Sequence, residues 1–369
     1  MKIAQLTECL TDNGVSTVVR NLTAGFREAG HQVDIITWRE SSFNDPALRR
    51  VALPGLSDDR LSIVQRLLLR FSGERLWLYL QSPRIVRELL AQVDLEEYDA
   101  VLVHGLACIP LWRLPQRCFI VAHSTKSKML LRSRQLLLRP LLRRLYGRIY
   151  RNHPVVCVSQ GARQDLIDSF GVDPQRVTAI YNPFPIGEIR RKAQESIDDV
   201  PAEYLLAVGR PVKSKRFDRL MRVYKMSGID APLVVLVGSG KAAKVKKLAE
   251  RYGVAGRVIT IGYRQNPYPY MARAKLLVLT SDYEGLPTVL IESLICGTPV
   301  VSTDCPSGPR EILKSSFRAG LVETANEQEF GTRLRQVFRS PYFVAKDGLV
   351  EFSIDRTVAL YLEFICRQG

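Results

Sequence analysis

The sequence predicts an α/β protein of two domains, each built on a parallel sheet covered by helices. Three observations carry this. Short apolar runs alternate with helical stretches along most of the 369 residues, as expected of strands buried on both faces and joined by crossover helices. The rhythm pauses in a loop holding Asn182, Pro183 and Pro185 and a charged stretch through Asp199, then restarts, placing a second domain from about residue 186. The length suits two domains of ordinary size better than one.

MKIAQL reads as the first strand and DNGV as a polar loop. STVVRNLTAGFREAG then reads as a helix capped by Ser16 and stopped by Gly30. HQVDIIT, DAVLVHG, CFIVAHS and PVVCVS are further strands, the last leading into the helix QGARQDLIDSFG. After the restart YLLAVGR, PLVVLVGSG, VITIGY, AKLLVLTS and PVVST are strands. RFDRLMRVYKMSG, KVKKLAERYG and PTVLIESLICG are helices between them. FSIDRTVALYLEFICRQ closes the chain as an amphipathic helix.

Hydrophobic residues make up 46% and charged residues 24%, the composition of a folded soluble protein. No segment offers the roughly 18 unbroken apolar residues of a membrane span. Glu8 and Asp12 interrupt the N-terminus before any signal-peptide core can form, so a cytoplasmic protein is expected. The seven cysteines are scattered without a C-x-x-C pair and read as reduced thiols packed as small hydrophobes. His31, His104, His123 and His153 lack metal-ligand spacing, and no metal site is expected.

The net charge of +16 is uneven locally. No acidic residue lies between Asp99 and Asp165, while Arg113, Arg117, Lys126, Lys128, Arg132, Arg134, Arg139, Arg143, Arg144, Arg148, Arg151 and Arg163 all do. Such a block reads as a surface for anions: lipid headgroups, acidic saccharide or nucleic acid.

The chemistry concentrates in SDYEGLPTVLIESLICGTPVV. Gly285 permits a tight turn, Pro287 suits the first helical position and Gly297 ends the helix. The free amides of roughly Leu286 to Val289, Thr288 among them, would then open into a loop after the strand LLVLT, where a diphosphate would be welcome. Glu292 sits among Val289, Leu290, Ile291, Leu294 and Ile295, so its carboxylate would be largely buried, at a cost unless it is partnered. Ribose hydroxyls would satisfy it; so would a neighbouring backbone group or arginine, and the residues alone weigh these readings about evenly. Glu284, eight residues earlier, faces the same pocket or a solvent-exposed turn.

This E-x7-E segment resembles the signature of the large retaining glycosyltransferase family 4, whose fold is GT-B: two Rossmann-like domains facing across a cleft. Other segments follow in the family's order: DNGVSTVVRNLTAGFREAGHQVDIIT, VCVSQGARQDLIDSFGVDPQRVTAIYNPF, LLAVGRPVKSKRFDRL, VVLVGSGK, TIGYRQNPYPYMARAKLLVLTSDYEGLP and CPSGPREIL. The match is dense from about residue 155 to 313. It implies an N-terminal acceptor-binding domain over 1–185, a nucleotide-sugar-binding domain over 186–345, and a C-terminal helix over 346–369 packing back toward the first.

The resemblance also implies roles. Glu292 would bind the nucleotide ribose and Glu284 the donor sugar hydroxyls. Arg210 and Lys215 would hold the donor diphosphate, Tyr263 and Arg264 contact the base, and His123 lie near the reacting sugar. Gly14 would lie near the donor phosphates, although relatives often carry two glycines and here the first is Asn13. Composition alone would leave Arg210 and Lys215 as solvated charges, and His123 as a packed side chain at a strand end, with His104 at a similar end.

VVLVGSGKAA contains G-x-G-x-x-A, but the acid expected about 20 residues later for a dinucleotide ribose is missing between Glu250 and Asp282. Gly238 and Gly240 instead read as a tight turn beside the nucleotide. The expectation is therefore a retaining hexosyltransferase of the kind that builds bacterial lipopolysaccharide core, O-antigen or capsule. Its donor would be a UDP-hexose bound as co-substrate with no other cofactor, and its acceptor a lipid-linked saccharide. The 113–151 region would rest on the anionic inner face of the membrane, with no nucleic-acid partner. The competing reading is a non-catalytic basic membrane- or nucleic-acid-binding protein on the same scaffold.

Overall fold

The computed structural model describes residues 1–11, 14–43, 45–53, 74–114, 117–131, 139–238, 240–323 and 326–368. Two compact units emerge: Met1–Pro183 with Ile354–Gly369, and Phe184–Ser353.

In the first unit the apolar runs become seven parallel strands: β1 (Lys2–Leu6), β2 (Gln32–Thr37), β3 (Leu48–Arg50), β4 (Ala100–His104), β5 (Cys118–Ala122), β6 (Val155–Cys157) and β7 (Val177–Ala179). Their order is β3-β2-β1-β4-β5-β6-β7. Because successive side chains point to opposite faces, each strand feeds two cores. Ala4, Leu6, Val101, Val103 and Ile120 join one cluster, together with the buried thiols of Cys108, Cys118 and Cys157. Ile3, Val33, Leu102, Phe119 and Val121 join the other.

Among the described residues before Pro183 the helices of this unit are α1 (Gly14–Glu28), α2 (Glu74–Leu90), α3 (Lys126–Leu131), α4 (Arg139–Asn152) and α5 (Gln160–Phe170). The C-terminal helix, Ile354–Gln368, completes the second cluster with Val358, Tyr361, Phe364 and Ile365. It lies so close to α1 that a methyl group on Gly25 would stand 2.3 Å from Ile354 Cγ2 and 2.7 Å from Val358 Cγ2.

The second unit repeats the plan with six parallel strands: β8 (Leu205–Val208), β9 (Leu233–Leu236), β10 (Val258–Ile261), β11 (Leu276–Leu279), β12 (Val300–Thr303) and β13 (Leu321–Val322). Their order is β10-β9-β8-β11-β12-β13. Its helices are α6 (Ile186–Lys192), α7 (Phe217–Ser227), α8 (Ala242–Arg251), α9 (Tyr268–Arg273), α10 (Thr288–Ile295), α11 (Pro309–Ile312) and α12 (Glu327–Arg339). Leu205, Ala207, Val235 and Val278 of the sheet pack against Phe217, Met221 and Tyr224 of α7 and Phe330 and Leu334 of α12.

The strand order reverses direction between β1 and β4 in one sheet and between β8 and β11 in the other. Chains leaving the carboxyl ends of such strand pairs diverge to opposite faces and open a crevice, where ligands of α/β sheets bind.

Two local expectations are corrected. Helix α1 begins at Gly14, so Ser16 lies inside its first turn rather than at the cap, and its hydroxyl accepts from the Thr11 N–H at 3.0 Å. Pro287 is the cap of α10, one position before the helix proper, with its extended ψ of 94° setting the entry angle. Pro140 occupies the first turn of α4, where its missing N–H costs no intrahelical bond. Arg132 and Arg134 of the basic block and Asn13 of the glycine loop lie outside the described residues.

The contact at Gly25 yields a stability test. Alanine is the better helix former by roughly 0.5–1 kcal/mol, yet its methyl would meet two β-branched side chains with little rotamer freedom. Overpacking of this kind costs about 1–3 kcal/mol. Gly25→Ala should therefore lower the urea midpoint, and an unchanged or raised midpoint would show that the C-terminal helix is not held at this distance.

Candidate functional site

The residues assigned to the donor in the second unit lie in or beyond loops that leave the carboxyl ends of strands. In the second unit Arg210 follows β8, Gly238 follows β9, Tyr263 and Arg264 follow β10, and Glu284 follows β11. Since β8 lies hydrogen-bonded between β9 and β11, the loops that leave them are neighbours.

Two of these loops are tied together by charge. Arg216 takes a left-handed backbone (φ 48°) between the turn Lys213–Lys215 and α7. A non-glycine residue pays for that conformation, and here the guanidinium is bound on two sides. It donates to Asp218 at 2.9–3.2 Å and to Asp282, in the β11 loop, at 3.0 Å. Arg219 donates to the same Asp282 oxygen at 2.9 Å and to the Thr280 carbonyl at 3.0 Å. The Thr280 hydroxyl lies 3.3 and 3.1 Å from the carbonyls of Lys215 and Arg216, and the Asp282 N–H donates to the Ser214 carbonyl at 2.8 Å. Arg222 adds a bidentate pair to Glu327, both bonds at 2.6 Å. The bond from Arg216 holds Asp218 well below the usual carboxylate range, and the bond from Arg222 lowers Glu327 in the same way.

This clamp brings Lys215 and Glu284 into contact. Lys215 Nζ donates to Glu284 Oε1 at 2.7 Å, and the Ser281 hydroxyl donates to the same oxygen at 2.5 Å. The Glu284 side chain is only 11% exposed. The two residues assigned separately, to diphosphate and to sugar, thus form one pair. Arg210 is exposed and has no ion pair with any described residue. A methyl on Gly238 would stand 3.9 Å from Arg210 Cγ, so the stem of Arg210 runs past that glycine.

The entry to α10 is built from two segments. Left-handed backbone falls on Ser307 (φ 71°) and Gly308 (φ 94°), not on Gly285. Ser307 Oγ donates to the Gly285 carbonyl at 2.9 Å. A methyl on Gly308 would clash with Pro287 Cδ at 2.4 Å and crowd Leu286 Cα at 3.2 Å. Only glycine lets this loop support the Gly285–Pro287 turn from behind. The turn leaves the N–H groups of Leu286, Thr288 and Val289 without an acceptor among the described residues, a ready place for an anion.

Glu292 projects from the middle of α10. No described residue donates to or pairs with its carboxylate, so the arginine or backbone partner of the alternative reading is not found. It keeps some exposed surface, yet the protein around its carboxyl pushes its pKa up to about 7. Tyr263 is 43% exposed. Arg264 is already engaged, donating to Asp199 at 2.8 Å and to the Tyr270 hydroxyl at 2.9 Å, which fixes the β10 loop to the segment before β8.

In the first unit Gly14 opens α1 after β1 and is exposed. His104 ends β4, and His123 directly follows β5. Their rings lie 5.4 Å apart, with His104 Nδ1 3.1 Å from His123 Nε2. Burial drives His104 down to about 3 and His123 well below its usual value, the neighbouring His104 and Lys126 adding to the latter. Both rings are neutral at physiological pH.

The sequence pattern assigns no site role to Ser281, Arg216, Asp282 or Ser307. The one available signal was position: a hydroxyl and a carboxylate just after the strand LLVLT, where a crevice forms.

Comparison with known proteins agrees with the architecture. One family model, Glycosyltransferase Family 4, matches residues 12–187, and a second, Glycosyl transferases group 1, matches residues 189–347. The chain belongs to the family 4 glycosyltransferases. Among curated relatives of the family, an N-acetylgalactosamine-N,N'-diacetylbacillosaminyl-diphospho-undecaprenol 4-alpha-N-acetylgalactosaminyltransferase of Campylobacter jejuni is 34% identical over 169 residues, 46% of each chain. A lipopolysaccharide 1,6-galactosyltransferase of Salmonella typhimurium is 27% identical over 189 residues, 49% of this chain and 51% of the other. The chain spans about half the length of these curated relatives. Solved GT-B structures share the fold over the whole chain. Sucrose-phosphate synthase from Thermosynechococcus elongatus matches with TM-score 0.76 at 18% identity, covering 100% of this chain and 98% of the other. Anabaena HepE, solved with UDP and glucose, matches with TM-score 0.71 at 17% identity, covering 100% of both chains.

The unpartnered Glu292 carboxylate gives a test independent of any ligand. Its folded pKa lies above the usual carboxylate value, so the folded state binds the extra proton and stability falls as pH rises from about 4.5 to 7. Glu292→Gln removes that loss. The variant should melt above the wild type at pH 8, by about 1–2 kcal/mol after allowing for the water that reaches the side chain. The gap should close near pH 4.5. A variant less stable than wild type at pH 8 would mean that the carboxylate has a partner.

Proposed function

We propose that the chain is a retaining, metal-independent hexosyltransferase that uses a UDP-hexose and a lipid-linked saccharide acceptor. The observation that carries this reading is the Lys215–Glu284 pair set beside unbonded amides and an unsatisfied Glu292 at one sheet edge. Among the described residues the amides and the Glu292 carboxylate lack what a nucleotide sugar supplies. Glu292 accepts two hydrogen bonds from ribose hydroxyls. Arg210, Lys215 and the amides after Gly285 take the diphosphate, whose charge grows as the bond to the sugar breaks. Phosphate drawing Lys215 away lets Glu284 accept from a sugar hydroxyl in the place of that bond. Tyr263 offers an exposed ring to the base. The bond between the anomeric carbon and the diphosphate oxygen breaks as the acceptor oxygen bonds to the same face, and the acceptor proton passes to the departing phosphate. No protein nucleophile takes part.

Support for UDP and a hexose comes from HepE, solved with UDP and glucose. Support for a lipid-linked acceptor comes from the Campylobacter relative, whose name specifies a diphospho-undecaprenol substrate. In the first unit a cavity of 860 Å³ is lined by Lys128, Arg139, Arg143, Arg144 and Arg151 with the apolar Phe170 and Pro140. Cations around an apolar floor suit anionic lipid, in keeping with attachment to the inner face of the cytoplasmic membrane. No described helix is long and apolar enough to cross a membrane.

A panel of sugar nucleotides, assayed for nucleotide diphosphate release with and without bacterial glycolipid, tests the reading. Release should be confined to one or a few UDP-hexoses and should need the acceptor, with the product anomer matching the donor. Glu284→Gln and Lys215→Ala should each lower kcat by roughly 10²–10³-fold. Undiminished turnover in either refutes the site, and silence from every donor with intact vesicle binding favours the non-catalytic alternative.

Arg143 and Arg144 separate attachment from chemistry. Their joint replacement by alanine should cut binding to phosphatidylglycerol vesicles by about 1 kcal/mol per residue while leaving turnover on a soluble acceptor unchanged. Retained vesicle binding would rule out this surface as the anchor.

A further inference from the structure

The two imidazoles at the carboxyl edge of the first sheet share one hydrogen bond, and the rest of their surroundings decide its direction. β4 and β5 are adjacent, with His104 opposite Val121 in register, so His123 emerges beside His104. The nitrogens His104 Nδ1 and His123 Nε2 are 3.1 Å apart, and with both rings neutral a single proton lies between them. His104 is buried, and its other nitrogen, Nε2, has no hydrogen-bond partner among the described residues. His123 is partly buried, and its Nδ1 is not among the buried atoms left unpaired.

Two assignments are possible. If His123 donates through Nε2, then His104 accepts at Nδ1 and must carry its own proton on Nε2, leaving a buried N–H with no acceptor. If His104 donates through Nδ1, its Nε2 is bare, and His123 keeps its proton on Nδ1. Buried N–H groups without an acceptor are the rarer orphan in folded proteins, and the second assignment avoids one. It also leaves the accessible His123 nitrogen satisfied by whatever oxygen arrives from solution.

We propose that His104 is a positioning residue that fixes His123 in the Nδ1–H tautomer, so that this sheet edge presents an imidazole donor to a sugar hydroxyl oxygen rather than an imidazole base. Binding of sugar at this edge rests on the function proposed above; the tautomer does not. Lys126, buried beside the pair, opposes a second proton on His123. The acceptor proton therefore has no route to this ring: Nε2 is occupied by His104 and Nδ1 already carries hydrogen. That agrees with its passage to the leaving phosphate.

The chain holds four histidines, few enough for each imidazole to be assigned in histidine-labelled full-length protein. Two-bond proton–nitrogen correlation spectra of the free protein should give protonated Nδ1 and bare Nε2 for both His104 and His123. The opposite pattern at either ring overturns the proposal, whether or not the protein transfers sugar.

Kinetics supply the second arm. His104→Asn keeps an amide donor near the Nδ1 position, and His104→Leu does not. His104→Leu should lower kcat about tenfold, the worth of one lost hydrogen bond, with donor KM within about twofold. His104→Asn should stay within about threefold of wild type. Equal losses in the two variants would mean that His104 only fills space, and would overturn the positioning role. Absence of turnover in the wild type itself would count against the proposed function while leaving the spectra to decide the tautomer.

Discussion

The second unit depends on one electrostatic junction, the grip of Arg216 and Arg219 on Asp282. Loops leaving neighbouring parallel strands are close at their roots but have no backbone ladder to keep them so. Here a single carboxylate, with two guanidiniums on the same oxygen, sets the spacing between the β8 and β11 loops. The left-handed Arg216 is part of the same junction, because its backbone conformation turns the guanidinium toward Asp218 and Asp282 together. Partly exposed pairs are individually weak, but a planar guanidinium with several fixed acceptors orients the chain as well as holding it. The Lys215–Glu284 contact is a product of that orientation.

The two sheet edges are electrostatic opposites. The second collects charged groups and unbonded amides, and one of its carboxylates, Glu292, has no partner among the described residues. The first keeps its paired imidazoles uncharged by burial, with buried Lys126 beside them. A group held neutral next to a cation can donate or accept but does not compete for a diphosphate. The proposed function uses this division, with phosphate recognition in one unit and hydroxyl recognition in the other.

Much of this was legible in the sequence, and the exceptions have physical reasons. Runs such as VVLV and LLVL are buried on both faces and announce themselves by composition alone. β3 is Leu-Arg-Arg, β7 Val-Thr-Ala and β13 Leu-Val; each is short and lies at or near a sheet edge, where pairing with a neighbour rather than local preference makes the strand. Glu292 was conspicuous because a carboxylate in an apolar helix violates a rule. The Lys215–Glu284 pair was not, since its members are 69 residues apart and only the strand order brings them together. Gly285 looked like the turn residue, yet the strained backbone belongs to Gly308, which buttresses the turn from another segment. Sequence proximity pointed to the right place and the wrong glycine.

The C-terminal helix carries one more implication, for the order in which the molecule is made. The cluster holding Ile3, Phe26 and Phe119 is closed by Val358, Tyr361 and Phe364, so a chain emerging from the ribosome presents that face of the first sheet uncovered while all of residues 184–353 are translated. At about 5–20 residues per second, this interval lasts many seconds. At its end the second unit has every residue it needs to fold, while the first still lacks its last helix. The unit encoded first is the one completed last, and in the growing chain its exposed apolar face is the surface most in need of a chaperone.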